Sequence, residues 1–256
     1  GGEENIQDIH FPIFYVMNKL VLPYYHTDFH IHQRLFHKPS TLFWIFFFLL
    51  LFHNAFTQLN ETFSDSNFTQ NPRWKGTDSS FFVNSNHQLQ SSTTLPNAVY
   101  YLSTPNSIAS TVQWQFFIQL AFNTSSLNYV DVYIIASDSN LTNPGNTGYF
   151  LRLGGTNDDI CLYRKDNNAT VKIIDGEDGL LNSSNNAYTL TISRSAANVF
   201  TITKMDVSGN SAFVGSATDE LYSNSAYFGF VIRQSTLSFF GKHFFDNIFI
   251  QPIEND

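Results

Sequence analysis

The two-residue alternation of apolar and polar side chains is the feature that most limits how this chain can fold. Residues 114–122, WQFFIQLAF, place five apolar side chains on one face of an extended segment, and two glutamines, a phenylalanine and an alanine on the other. Successive side chains of a β-strand point to opposite sides, so the pattern predicts a strand with one buried face. Comparable alternation recurs at 129–136, 149–153, 188–194, 199–205 and 227–233.

Turn-forming residues separate these segments. The stretches NPGNTG at 143–148, GGTNDD at 154–159 and DGEDG at 175–179 are rich in glycine, asparagine and aspartate, which tolerate the positive φ angles of tight turns. After position 58 no long segment shows the 3.6-residue period of a helix, which excludes a parallel βαβ architecture. The sequence predicts an all-β, antiparallel two-sheet jelly-roll sandwich of about eleven strands, the first at 61–63 and the last at 244–250.

A short apolar run near the N-terminus predicts export. Residues 41–52, TLFWIFFFLLLF, form an apolar run of twelve, whereas a membrane-spanning helix needs about 20 residues. The run matches the hydrophobic region of a signal peptide over 37–57, with Ala55 and Thr57 at the −3 and −1 positions of a cut before Gln58. The protein is therefore expected to be secreted or held at the cell surface.

The predicted cut divides the chain into three parts. Residues 1–36 lie upstream of the signal peptide and are expected to be absent from the mature protein, and residues 58–256 form the predicted sandwich, without a transmembrane segment. This last part contains ten Lys or Arg and seventeen Asp or Glu. Because it is acidic and has no basic stripe, nucleic acid is not expected as a partner. The single cysteine, Cys161, excludes an internal disulfide.

The ordered segments of this part resemble a known family. In chain order they are ETFSDSNFTQNPRWKG (61–76), FFVNSNHQLQ (81–90), WQFFIQLAF (114–122), TGYFLRLGG (147–155), YTLTISR (188–194) and FFDNIFIQPI (244–253). Over nearly all of residues 60–252 the chain is similar to the concanavalin A-like, laminin G-like jelly-roll module of secreted bacterial multidomain surface proteins, of the kind found with lamin-tail or immunoglobulin-like domains. The resemblance implies paired first and last strands, glycan as a frequent partner, and further domains C-terminal to this chain.

The residues needed for catalysis are not found in a recognisable arrangement. Glycoside hydrolysis requires two carboxyl groups across the scissile bond, and the related laminarinase-type enzymes carry them as Glu-x-Asp-x-Glu on one strand. No glutamate after position 58 has that spacing. A Ser-His-Asp triad would have to use His87 or His243, and no G-x-S-x-G motif accompanies them. The chain is therefore expected not to be an enzyme, with a degenerate glycoside hydrolase as the distant alternative.

Calcium is the candidate cofactor. The ion prefers carboxylate and carbonyl oxygens, and the resemblance implies a site beside the paired terminal strands, where Glu61 and Asp246 would meet. The acidic loops at 158–159 and 175–179 are alternative positions. In the competing interpretation, Asp246 hydrogen-bonds turn amides and the loop acids are solvated.

Three residues are candidates for ligand binding. Trp74 lies between Arg73 and Lys75 in NPRWKG, where it would serve as a stacking platform for a sugar or, as the resemblance implies, close one end of the sandwich core. Tyr163 and Arg164 would line a concave face or lie on a solvated outer face. The predicted function is a non-catalytic extracellular binding or adhesion module that recognises carbohydrate. The alternative is a purely structural spacer domain of a larger cell-surface protein.

Overall fold

Fifteen antiparallel strands form the part of the chain that the computed structural model describes, residues 59–253. In chain order they are β1 (Leu59–Glu61), β2 (Lys75–Gly76), β3 (Phe81–Val83), β4 (Leu89–Ser91), β5 (Ala98–Pro105), β6 (Val112–Leu120), β7 (Tyr129–Ala136), β8 (Thr147–Gly154), β9 (Ile160–Asp166), β10 (Ala169–Ile174), β11 (Asn186–Arg194), β12 (Val199–Asp206), β13 (Ser211–Thr218), β14 (Tyr227–Gln234) and β15 (His243–Pro252). Two short 3-10 helices, Asp78–Ser80 and Leu237–Phe239, are the helical elements of this region. The predicted signal peptide and its cleavage position lie outside the described residues.

The strands form two sheets. An eight-stranded sheet has the order β13-β12-β11-β6-β15-β4-β3, with β1 also paired to β15, and a seven-stranded sheet has the order β10-β9-β8-β7-β14-β5-β2. In the β1–β15 pair, Leu59 lies opposite Ile250 and Glu61 opposite Ile248. The predicted all-β sandwich, with its first and last strands side by side, is confirmed.

The apolar stripe of β6 lies at the centre of the core. Burial alternates without exception along Val112–Leu120, as the two-residue period predicts. Trp114 is fully buried and lies opposite Ile192 of β11 and Ile250 of β15. The inward side chains of both sheets join in one continuous core, which holds the sandwich together.

Some strand boundaries differ from those that the sequence suggests. β1 covers 59–61 instead of 61–63, and β15 extends to Pro252. The sequence patterns did not indicate β13, an edge strand whose residues are exposed or only partly buried. Within residues 59–253, no helix is long and apolar enough to cross a membrane.

Candidate functional site

Trp74 belongs to the core of the sandwich. Its side chain is 1% exposed and stacks on Phe230 at 5.5 Å between ring centroids, with Phe228 edge-on at 6.1 Å. Its indole Nε1–H donates to Glu61 Oε2 at 3.3 Å, while Glu61 Oε1 accepts from the Phe63 amide at 2.7 Å. A ring enclosed in this way has no free face for a sugar. Of the two roles considered for Trp74, the structure supports the core role.

The predicted calcium site between Glu61 and Asp246 requires correction. Glu61 lies opposite Ile248, which is buried in the core, whereas Asp246 lies opposite Phe117, on the outward side of β6. Directly opposed residues share a face of the sheet, so the two carboxylates point to opposite sides and one ion cannot bind both. Burial raises the pKa of Asp246, whose carboxylate accepts a hydrogen bond from the Asn247 amide at 2.7 Å.

Tyr163 and Arg164 do not line a common face, because they are consecutive residues of β9. Tyr163 is on the outer side of the seven-stranded sheet, away from the core. Arg164 points the other way and forms ion pairs with Asp166 at 3.0 Å and with Asp219. The predicted pair is therefore separated, and the guanidinium of Arg164 is engaged by two carboxylates of this chain.

A row of stacked rings crosses the outer side of the seven-stranded sheet. Tyr133 of β7 stacks on Phe150 of β8 at 5.1 Å, and Phe150 stacks on Tyr163 of β9 at 5.3 Å with an interplanar angle of 9°. The register places these three residues directly opposite one another. Besides this stacking, the Arg152 guanidinium and the Lys172 ammonium lie 5.3 and 5.9 Å from the centre of the Tyr163 ring. Because groups of the chain already contact this ring, Tyr163 stabilises the sheet and is a poor platform for a ligand.

The charged groups next to this row are paired with each other. Arg152 donates from Nε and Nη2 to the two carboxylate oxygens of Asp131, at 2.7 and 2.8 Å, and its guanidinium lies 4.3 Å above the centre of the Tyr129 ring. Burial alone would lower the pKa of Arg152, but Asp131 outweighs that effect and raises it. Arg233 donates to the Tyr129 hydroxyl at 3.0 Å. These contacts stabilise one another and leave little hydrogen-bonding capacity for a ligand.

Asp159, Cys161 and Asp175 form the cluster of possible metal ligands in the described part of the chain, with ligand atoms within 4.8 Å of one another. Burial raises the pKa of the Cys161 thiol to about 12, so the thiol stays protonated at neutral pH. The Lys172 ammonium lies 2.6 Å from Asp175 and 3.7 Å from Asp159. Calcium typically requires about six to eight oxygen ligands, and a neutral thiol with two neutralised carboxylates does not supply them. The donor set does not fit calcium.

A cleft lies on the outer side of the seven-stranded sheet, where β2, β5 and β14 meet. We call it the tyrosine cleft and define it by Arg73, Lys75, Tyr101, Ser103, Ser139 and Tyr227, which line a depression of about 310 Å³. Tyr101 lies on β5 and Tyr227 on β14, two antiparallel strands that pair directly with each other. Both rings are partly buried against the outer apolar cluster of Tyr133, Ala136, Leu141 and Phe150. Among residues 59–253, neither ring stacks on another aromatic ring and neither hydroxyl has a hydrogen-bond partner.

The backbone around the cleft is held firmly. Ser103 donates from Oγ to the Ser139 carbonyl at 2.7 Å, which ties the loop after β7 to β5. Gly76 has a φ of 153°, and a Cβ there would lie 2.3 Å from the Tyr101 carbonyl oxygen and 3.0 Å from its ring. Glycine is therefore required for the close approach of β2 to Tyr101. A rigid edge of this kind fixes the position of the Tyr101 ring.

Sequence reasoning did not find Tyr101 and Tyr227. Both occupy outward positions of alternating strands, and the core pattern says nothing about such positions. They lie far apart in the chain, and the β5–β14 register places them two residues to either side of the Ser103–Gly229 pair, where they border one cleft. The sequence feature that could have indicated this cleft is the Arg73-Trp74-Lys75 triplet. If Trp74 points into the core, both flanking cations point outward, to the surface on which the cleft lies.

No family model matches the chain, and no curated protein sequence matches it. Solved structures with low sequence identity share its fold. The carbohydrate recognition domain of Emp47p is 10% identical, with a TM-score of 0.53, over 77% of this chain and 94% of that one. A Bacillus subtilis protein of unknown function with a galectin-like fold is 11% identical, with a TM-score of 0.53, over 76% and 94%.

The exoplasmic/lumenal domain of VIP36, in its Ca²⁺/Man2-bound form, is 11% identical to the chain, with a TM-score of 0.51, over 78% of this chain and 88% of that one. At such identities the similarity concerns the fold alone. The chain therefore shares the two-sheet jelly-roll fold of these proteins.

Proposed function

We propose that the domain is a non-catalytic glycan-binding module and that the sugar binds in the tyrosine cleft. The observation that carries the proposal is the pair of tyrosines, Tyr101 and Tyr227. Both line the cleft, neither ring stacks on another aromatic ring, and neither hydroxyl has a hydrogen-bond partner within the described part of the chain. Sugar rings present C–H faces that pack on aromatic side chains and hydroxyls that exchange hydrogen bonds with polar groups. The cleft offers both kinds of contact on a rigid sheet.

The lining of the cleft also supports the non-catalytic part of the proposal. Glycoside hydrolysis uses two carboxyl groups, about 5 to 9.5 Å apart, and the residues that line this depression include neither a carboxylate nor an imidazole. Two of the proteins that share the fold are described as a carbohydrate recognition domain and as a mannose-bound domain. Those descriptions agree with the proposal, which rests on the cleft.

Replacing either tyrosine by alanine is expected to weaken glycan binding by about tenfold or more, because a buried aromatic contact contributes at least about 1.4 kcal/mol. An array of immobilised oligosaccharides, probed with the full chain, would identify the ligand. Isothermal titration of that ligand into wild type, Tyr101→Ala and Tyr227→Ala would then give the change in affinity.

Two matched variants make this test specific. Phe213→Ala removes an exposed ring from β13 of the other sheet, and Tyr163→Ala removes a ring that the sequence offered as a ligand-binding candidate beside Trp74. Neither substitution should change the affinity. If Tyr163→Ala abolishes binding while the cleft variants bind normally, the site is misplaced. If the array shows no binding to any glycan, the structural spacer becomes the better description.

We also propose that the protein is exported. In this proposal the domain is a laminin G-like module of a surface protein, and further domains follow it in the chain. The first strand begins at Leu59, directly after the proposed new N-terminus, Gln58, so the predicted cut leaves every described strand intact. In a secretion-competent host, the secreted protein is expected to begin at Gln58. Intact-mass measurement of the secreted material tests this, and a mass that includes residues 41–52 would show that no such cleavage occurs.

A further inference from the structure

Two cations without partners line the tyrosine cleft. Arg73 and Lys75 both border the depression and are exposed. Within residues 59–253, neither side chain forms a hydrogen bond or ion pair, whereas the guanidinium groups of Arg152, Arg164 and Arg194 are bound by carboxylates or carbonyls of the chain. Arg73 and Lys75 therefore keep their full capacity to bind an external group.

The charge of the cleft is opposite to that of the whole protein. The chain has a formal net charge of −8, yet the residues lining the cleft include two cations and no carboxylate. The cavity at the other end of the same sheet face, lined by Arg152, Lys172 and Asp159, has its cations paired with acids. The positive charge of the tyrosine cleft is thus a local property that favours an anion over a neutral ligand.

The position of the two cations follows from the burial of Trp74. Lys75 lies opposite Ser103 of β5, whose side chain is on the outer face, and the inward Trp74 separates Lys75 from Arg73. Trp74 is held by Phe230 and by Glu61, so the segment that carries both cations is anchored in the core. An anchored segment loses less conformational entropy when its side chains bind a ligand.

From this arrangement we propose that the tyrosine cleft selects acidic carbohydrate. The sugar chain packs along Tyr101 and Tyr227, while a carboxylate or sulfate group that it carries is bound by Arg73 and Lys75. A guanidinium can donate two parallel hydrogen bonds to either anion, and an ammonium adds a point charge. The inference rests on the proposed glycan-binding function, because it assigns the class of sugar that the same cleft takes.

The test compares acidic probes with uncharged partners of the same backbone. Hexameric oligogalacturonate is paired with its fully methyl-esterified form, and a sulfated galactan oligosaccharide with its desulfated form. Biolayer interferometry with the full chain is expected to show binding of at least one acidic probe about tenfold tighter than its partner. The arm that shows this preference identifies the anion as a carboxylate or a sulfate.

Charge variants localise the effect. Arg73→Ala and Lys75→Ala should each weaken binding of the preferred acidic probe by about tenfold or more, and leave its uncharged partner within about twofold. Arg73→Lys should retain part of the affinity. Lys242→Ala is the matched control, since Lys242 also has no ion pair among residues 59–253 and precedes β15 of the other sheet; it should bind like wild type.

The outcomes separate this inference from the function on which it rests. If charged and uncharged probes bind equally and both depend on Tyr101, the cleft binds glycan but does not select acids, and the inference is wrong. Equal losses in Arg73→Ala and Lys242→Ala would also overturn it, because they would reflect net charge alone. If no probe of either kind binds, both the proposed function and the inference fail.

Discussion

Trp114→Ala is expected to lower the free energy of unfolding by about 3–5 kcal/mol, the usual cost of truncating a fully buried tryptophan. Trp114 lies in the middle strand of the eight-stranded sheet, between Ile192 and Ile250, and is fully buried. Its removal leaves a cavity between β6 and the facing sheet that rigid strands cannot fill. Denaturant titration measures the loss, and the melting temperature should fall by roughly 10 °C.

Two variants separate cavity formation from other effects of the substitution. The Trp114 indole N–H has no hydrogen-bond partner in the described residues, so Trp114→Phe keeps most of the apolar volume and removes an unpaired donor. It should cost only about 1–2 kcal/mol. Gln115→Ala changes the outward neighbour on the same strand and should stay within about 0.5 kcal/mol of wild type. A loss under about 1 kcal/mol for Trp114→Ala would mean that the stripe is not the core.

The fold could be predicted largely from β6 and its neighbours, because a strand with one buried face must alternate in sequence. β13 shows the limit of that rule. It lies at the edge of the eight-stranded sheet and has no fully buried residue; Val214 and Ala217 pack against the core only in part, and Phe213 is 66% exposed. With no fully buried residue the segment shows no clear alternation in sequence, and its pairing with β12 identifies it as a strand.

The candidate site was harder to predict than the fold. Trp74 had two possible roles in the sequence, and only its contacts with Phe230 and Glu61 decide between them. The suggested calcium site failed because first and last strands can pair while their acidic residues face opposite sides. Ligand-binding residues occupy outward positions, which the burial pattern leaves unspecified, and the register of distant strands determines which of them meet.

His243 gives the protein a stability that depends on pH. The side chain is fully buried, its Nδ1 lies 3.0 Å from Ser91 Oγ, and its Nε2 has no partner among residues 59–253. Its ring packs edge-on against Phe122 at 4.9 Å. Burial lowers the pKa of His243 to about 3, whereas the imidazole of an unfolded chain has a pKa of about 6.5.

The direction of the effect follows from proton binding. Between pH 6.5 and 3 the unfolded chain binds a proton at this site and the folded protein does not, so acid favours the unfolded state. The stabilising contribution of the neutral imidazole is complete above about pH 6.5 and decreases by about 1.4 kcal/mol for each pH unit below it. At pH 5 the loss from this residue should be about 2 kcal/mol, and it should approach 4–5 kcal/mol near pH 3.

Denaturant titrations of wild type and His243→Gln at pH 7.5, 6, 5 and 4 measure this contribution. The carboxyl groups titrate in both proteins, so their effect cancels in the difference between the two free energies of unfolding. The variant removes the titrating group, so its stability relative to wild type should improve by about 2 kcal/mol between pH 7.5 and pH 5. His87→Gln replaces the exposed histidine of the described region and should follow the wild-type profile. The contrary result is a difference in free energy of unfolding between wild type and His243→Gln that is the same at every pH. It would mean that the imidazole takes up a proton in the folded protein and that the terminal strand does not bury it.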